Sequence, residues 1–418
     1  MNLSCRTYYS LRYGVLSVEE LIQKASEYEL KSLCLTDINN TTGIIDFVNT
    51  CKQYQITPIG GIEFRNNDQW VYTGIAMNRD GFHRLNSFFS RYSLNKSYFP
   101  DEAPQIEEVF FVYPLGKKHP KQLLSNEYIG IRCNQVNKLF SEPYQSYEDR
   151  YIYFNPVTFL EESEWEVHRH LRAIGHNMLL SHLREEWLAR QDEVFYKPYK
   201  VRKQCHNFPF LVENAEKLAG QCELEFEETL KNKHHYTADK ATDKARLEEL
   251  ALQGMKERYG KSASGVRQRI ENELAIIDQL GFSAYFLITH DIIKYSMDNG
   301  YHHVGRGSGA NSVVAYCLFI TDVDPIELDL YFERFINPKR SSPPDFDIDY
   351  SWKERDYILN YIFDRFGYEN TALLGAISTF KGSSILRELG KVYGLPKSEI
   401  DHMVSNPGFY VNRDVMYD

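Results

Sequence analysis

The stretch "SSPPDFDIDYSW" (341–352) sets Asp345, Asp347 and Asp349 at every second position, with Phe346, Ile348 and Tyr350 between them. An extended strand with that alternation carries all three carboxylates on one face, where they repel one another unless a cation lies among them. Two such carboxylates can hold a pair of Mg²⁺ ions about 3.5–4 Å apart, the arrangement suited to in-line displacement at phosphorus. Upstream, "VGRGSGANSVVAYCLF" spaces Gly305, Gly307 and Gly309 around Arg306 and Ser308. Missing side chains let backbone approach a ligand, and the apolar run that follows predicts a helix whose free N–H groups and positive dipole end face an anion. No Gly-Lys-Ser/Thr follows, so this is not a Walker-type loop, and no clear apolar strand precedes it as a dinucleotide fingerprint requires. Alone, the loop reads first as a tight turn that needs glycine for backbone reasons. Arg334, Lys339 and Arg340 gather positive charge just ahead of the carboxylates. Arg334 either pairs with Glu333 at the surface or faces the same cleft and holds an anionic oxygen bidentately. Carboxylates, glycine-serine loop and arginine together point to nucleotidyl transfer.

The elements that must position these groups are legible in outline. "GVRQRIENELAIIDQLGFSAYFLITHDIIKYSMDNG" reads as two packed helices with an apolar stripe through Ile270, Leu274 and Ile277. The N-terminal region alternates strand and helix patterns. Ser17 caps a helix with Val18, Leu21, Ile22 and Ala25 on its apolar face. "KSLCLTD" reads as a strand, "GIIDFVNTCKQYQ" as a helix and "ITPIGGIEF" as the next strand. Repeated βα units imply a parallel sheet or barrel whose chemistry lies at strand C-terminal ends, where Asp37 and Glu63 sit. Further strands are expected at "EVFFVYPL" and "RYIYFNPVTF", a helix at "EVHRHLRAIGHNMLLSHL", and an interdomain junction within 200–265.

With 418 residues, 43% of them hydrophobic and 25% charged, the chain has material for two or three cored domains. A net charge of −10 argues against a surface coated for wrapping nucleic acid, while leaving room for a local basic cleft. The seven cysteines are scattered without a CxxC pair, which suits reduced thiols in a cytoplasmic protein. No secretory leader and no run of membrane-spanning length is evident, so no membrane partner is expected.

The segment "GRGSGANSVVAYCLFITDVDPIELDLYFERFINPKRSSPPDFDIDY" closely resembles the palm of bacterial DNA polymerase III alpha subunits. The similarity continues through "RDYILNYIFDRFGYENTALLGAISTF" and "ILRELGKVYGLP" and reaches back to "YYSLRYG", "LTDINNTTG" and "PIGGIEF". The resemblance implies a DNA-directed DNA polymerase that adds dNTPs to a primer 3′ end with two Mg²⁺ ions. Asp345 and Asp347 would be the catalytic metal ligands, and Gly307, Ser308 and Arg334 would contact the incoming triphosphate. Asp349 would act through hydrogen bonding rather than as an essential ligand. Arg306, Lys381 and Arg387 are candidate DNA or phosphate contacts. Primer-template DNA and dNTPs are the implied partners, with the sliding clamp and other replisome subunits bound through regions absent from this sequence.

The implied architecture is α/β. A PHP-type βα barrel (1–215) precedes an α+β palm of nucleotidyltransferase type (216–380) and the start of a helical thumb (381–418). The PHP metal pattern is degenerate: Ser4 and Arg6 stand where the family has a His-x-His pair, Ile38 where it has histidine, and Pro156 and Thr158 where an Asp-x-His pair is expected. Asp37 and Glu63 alone keep ligand chemistry, so a structural domain without metal-dependent nuclease activity is expected. The histidines at 168, 170, 176 and 182 and the pairs at 234 and 302 read as helix-surface or core residues. The family's third catalytic aspartate lies on a strand beyond the thumb, and nothing after Tyr350 matches it. "TFKGSSILRELGK", with Lys381, Arg387 and Lys391, is shorter than the family's usual stretch, which together with the degenerate PHP site suggests an error-prone paralogue. The alternatives are a catalytically incomplete fragment that binds nucleotide or a partner, and a PHP phosphoesterase or 3′–5′ exonuclease.

Overall fold

The computed structural model describes residues 2–141, 146–226, 235–260, 264–337 and 345–406. The chain divides into two compact units, Met1–Glu228 with Ser378–Asp418, and Thr229–Ile377.

The first unit is built on a seven-stranded sheet in the order β1 to β7. It begins with β1 (Asn2–Cys5), α1 (Val18–Glu27), β2 (Ser32–Leu35), α2 (Ile44–Gln53) and β3 (Thr57–Asn66). Ser17 and Glu20 close a capping box on α1, satisfying two otherwise orphaned N–H groups. Val18, Leu21, Ile22 and Ala25 then bury one face against α2 and the sheet, as the 3.6-residue spacing requires. Strands β1, β2 and β3 are parallel. The parallel pattern is then interrupted. A two-residue turn through Asn67, at φ +56°, reverses the chain into β4 (Gln69–Ala76), which pairs antiparallel with β3. After α3 (Arg79–Leu94), β5 (Val109–Pro114) is again antiparallel to β4. Parallel pairing resumes through β6 (Glu127–Ile131) and β7 (Tyr151–Tyr153). The predicted strand at 150–159 thus ends early, and its last part returns to β1: Arg6 N–H donates to the Val157 carbonyl at 2.9 Å and Val157 N–H to that of Ser4 at 2.8 Å. The sheet therefore curls back on its first strand, consistent with a barrel-like α/β domain.

Helix α4 (Trp165–His176) is shorter than its sequence pattern suggests, because Asn177 takes a left-handed conformation (φ +51°) that stops it. Helices α5 (Pro198–Gln204) and α6 (Phe210–Ala219) follow, with α6 packed on β7.

The second unit is helical around a small sheet. Its helices α7 (Lys240–Tyr259), α8 (Ser264–Gln279) and α9 (Ser283–Asp298) share one core containing Leu247, Ile270, Ile277, Phe286 and Ile293. Gly281 at φ +73° provides the break between α8 and α9. Strand β8 (His303–Arg306) leads through a 3₁₀ turn (Gly307–Asn311) into α10 (Val313–Cys317), then to a second 3₁₀ turn (Phe332–Arg334) and to β9 (Asp347–Tyr350). β8 and β9 pair antiparallel, and α11 (Arg355–Phe366) packs back on α9. The last helices, α12 (Ser383–Val392) and α13 (Lys397–Ser405), belong to the first unit, where α12 packs on α4. There Tyr393 and His170 share a 2.7 Å hydrogen bond. Among the described residues, no helix is long and apolar enough to cross a membrane.

Candidate active site

The alternation along 347–350 is realised as the two-faced strand β9, and Asp345 and Phe346 lead into it. Phe346 stacks on Tyr285 and meets Phe286 edge-on, and its N–H donates to the Tyr285 hydroxyl at 3.0 Å. Ile348 joins the same core, and Tyr350 hydrogen-bonds Ser296 at 2.9 Å. The apolar alternates anchor the strand, leaving Asp345, Asp347 and Asp349 exposed on the other face. Across the ladder Arg306 is the register partner of Asp347, yet its guanidinium reaches diagonally to Asp349 at 2.7 Å. Both groups are more than half exposed, at 61% and 58%, so the pair is worth less than ~1 kcal/mol and is readily exchanged for another anion or cation. Asp345 and Asp347 have no hydrogen-bonding or ionic partner among the described residues.

Beside them lies the glycine turn. Gly307 sits at φ +73°, and a Cβ there would fall 2.6 Å from Asp347 Oδ2. The positive φ favours glycine here, and a side chain at this position would push the Asp347 carboxylate aside. The 3₁₀ turn carrying Arg334 packs against this turn, and the exposed Arg334 guanidinium has no partner among the described residues. Lys339 and Arg340 lie outside the described residues.

One expectation is corrected. The helix after the glycines was expected to offer its N-terminus to a phosphate, but α10 has only five residues and its end is already taken. The Ser312 hydroxyl accepts from Ala315 N–H at 3.1 Å. The buried Glu273 carboxylate, projecting from α8, accepts from the Ser312 hydroxyl at 2.9 Å and from Val314 N–H at 3.1 Å. An internal carboxylate thus occupies the place of the anion. What remains open to a ligand is the turn itself, Gly307 and Ser308. No short-range spacing marks Glu273; it lies 39 residues before Ser312.

The residues at the C-terminal ends of the first unit's strands form a different arrangement. Arg6, fully buried, lies between two carboxylates, with Nη2 2.5 Å from Glu63 and Nη1 2.6 Å from Glu193. Arg65 holds the other Glu63 oxygen at 2.6 Å, Arg132 the other Glu193 oxygen at 3.2 Å, and the Thr158 hydroxyl donates to Glu193 at 2.7 Å. Burial pushes the Glu193 pKa up, but Arg6 and Arg132 outweigh it and hold the group at about 2. Burial likewise opposes Arg6 and Arg65 at Glu63, and the arginines win, leaving its pKa below the ordinary value. Asp37 accepts from Thr7 N–H, the Thr7 hydroxyl and the Ser10 hydroxyl at 2.7–2.8 Å. Burial exceeds their help and raises its pKa to about 6. Nearby, His168 is a core residue. Its Nδ1 lies 2.7 Å from the Tyr13 carbonyl and its Nε2 accepts from Ala189 N–H at 2.8 Å, a pattern met by the neutral ring. Burial lowers its pKa to about 4.

These residues do not fit a multinuclear metal cluster. A guanidinium stands among the carboxylates, and their oxygens are committed to Arg6, Arg65 and Arg132. Among the described residues no group of three or more His, Cys, Asp or Glu side chains could hold a metal ion. Sequence reasoning located Asp37, Glu63, Arg6 and Thr158 but missed Glu193, which is 187 residues from Arg6.

Comparison with known proteins finds two family matches along the chain. The PHP domain family matches residues 2–149, and the family described as bacterial DNA polymerase III alpha NTPase domain matches residues 245–413. An error-prone DNA polymerase of Symbiobacterium thermophilum is 28% identical over 468 residues, covering 99% of this chain and 43% of the relative. A DNA polymerase III subunit alpha of Ureaplasma parvum is 27% identical over 415 residues, covering 97% and 40%. One of Streptococcus pyogenes serotype M3 is 28% identical over 427 residues, covering 100% and 40%. The chain spans about two fifths of the length of these relatives. The chain thus carries a stretch similar to the PHP domain family followed by a stretch similar to the bacterial DNA polymerase III alpha NTPase domain family.

Proposed function

We propose that this chain carries the palm chemistry of a DNA-directed DNA polymerase, which adds dNTPs to a primer 3′ end on primer-template DNA in the cytoplasm. The observation that carries the reading is the pair of unpartnered carboxylates, Asp345 and Asp347, beside a turn whose Gly307 leaves the space next to Asp347 free of side chain. Exposed, uncommitted carboxylates beside open space suit Mg²⁺, a hard ion that keeps several waters and takes few protein ligands. When bound, two Mg²⁺ ions would lower the pKa of the attacking hydroxyl and offset charge on the phosphoryl oxygens. The chain's own share is positional. The Gly307 and Ser308 turn and the Arg334 guanidinium orient the triphosphate, and the core-anchored Phe346 and Ile348 keep both aspartates facing it. Arg306 exchanges Asp349 for a phosphate, while Lys381 and Arg387 are further phosphate contacts for DNA.

A second reading rests on the count of carboxylates. Among the described residues only Asp345 and Asp347 are uncommitted on this face, which favours a chain that binds Mg²⁺–dNTP and needs a further carboxylate to polymerise. Primer extension with Mg²⁺ and dNTPs, set beside Mg²⁺–dATP titration, separates the two. Extension abolished by the Asp345→Ala/Asp347→Ala double variant supports polymerisation. Binding without extension, lost in the same variant, supports the second reading, and absence of both overturns the nucleotide site.

A further inference from the structure

Two segments carry the proposed triphosphate contacts, the Gly307–Asn311 turn and the Phe332–Arg334 turn, and both are tied to one ion pair on α8. Glu273, buried and one helical turn after Arg269, has Oε1 3.1 Å from Arg269 Nε. Its Oε2 takes the Ser312 hydroxyl and Val314 N–H, fixing the start of α10 directly behind the glycine turn. Arg269 Nη2 donates at 2.6 Å to the carbonyl of Leu330, two residues ahead of the Phe332–Arg334 turn. Each member of the pair therefore holds one segment, and each also orients the other member.

We propose that Arg269 and Glu273 form a positioning clamp that sets the Gly307–Ser308 turn and Arg334 in register with one another. The pair touches no reacting atom. Its carboxylate stands in for an anion at the start of α10, so the ligand's phosphates are left to the glycine turn and Arg334. A free N–H there would compete for them. Removing either charge loosens the segment it holds and, because its partner loses orientation, the other segment as well. The functional arm of this inference rests on the nucleotide reading above; the clamp itself does not.

Hydrogen exchange followed by mass spectrometry on the full 418-residue chain tests it, with Glu273→Gln, Arg269→Met and the double variant. Exchange should accelerate at least tenfold in 307–317 and 328–337 in both single variants, while the core of α9 keeps its protection. The double variant should be little worse than either single one. Wild-type exchange in both segments, or faster exchange spread evenly through α7, α8 and α9, overturns the clamp. Glu273→Gln keeps the size and one acceptor, so it separates lost positioning from collapse of the core. Mg²⁺–dATP titration of the same proteins should show affinity reduced about tenfold in each single variant. If wild type binds no Mg²⁺–dATP, the nucleotide reading fails while the exchange data still decide the clamp. If wild type binds and both variants bind equally well, the clamp does not serve nucleotide binding.

Discussion

Replacing Arg6 with methionine removes a fully buried guanidinium from between two buried carboxylates, and the consequence can be worked from the partners that stay. Glu63 keeps Arg65 at 2.6 Å, and Glu193 keeps Arg132 at 3.2 Å together with the Thr158 hydroxyl. Breaking a buried pair by removing one partner costs about 3–5 kcal/mol. With these partners retained the lower end applies, and for a unit of this size about 3 kcal/mol lowers Tm by roughly 10 °C. Urea unfolding followed by tryptophan fluorescence reads the change, since Trp70, Trp165 and Trp187 all lie in the first unit. The pH dependence has a definite sign. In the variant, the buried carboxylates lose their main cation and their folded pKa rises above the ordinary value. Stability then recovers as pH falls, so the deficit at pH 7 shrinks towards pH 5. In wild type Glu193 behaves oppositely. Its folded value of about 2 lies below the ordinary 4.5, so its contribution is complete above pH 4.5 and disappears as pH falls towards 2. Asp37, raised to about 6, subtracts stability as pH rises through that value. EDTA should leave the wild-type Tm unchanged within about 1 °C, because a side chain serves as the site's cation. A deficit under about 1 kcal/mol, a deficit constant from pH 7 to 5, or unfolding by EDTA would refute the reasoning.

At Gly307, alanine meets both a left-handed backbone and the Asp347 carboxylate 2.6 Å away. Gly307→Ala should cost about 1–2 kcal/mol of second-unit stability and weaken Mg²⁺–dATP binding in the same protein, while unchanged binding would detach the turn from the nucleotide site. Gly254 lies inside α7, where alanine ordinarily favours a helix by about 1 kcal/mol. A Cβ there would lie 1.8 Å from the Cys317 carbonyl oxygen, so Gly254→Ala should instead destabilise by more than about 2 kcal/mol as α7 and α10 are forced apart; a stabilised variant in thermal melts contradicts that packing.

Local patterns determined much of this protein. The alternation in "DFDIDY" specified a strand with a carboxylate face, because side chains of a strand alternate wherever it pairs. The capping box and spacing of "SVEELIQKASEYEL" specified α1 for the same kind of reason, since the capping and i, i+4 contacts lie within the segment. Gly307 was legible as a special position from its neighbours alone. What the local pattern could not decide was which distant group each charge meets. Arg306 turned to Asp349, leaving Asp345 and Asp347 uncommitted, because a strand register is a tertiary fact. The apolar run after the glycines promised a free helix end, and Glu273 from α8 filled it. Arg6 read as a missing metal ligand. Only the curled sheet, bringing Glu63 and Glu193 from 57 and 187 residues away, made it the counterion of a buried network. Hydrophobic periodicity is written along the chain, whereas the balance of a buried charge is set by whichever groups folding brings within hydrogen-bonding distance.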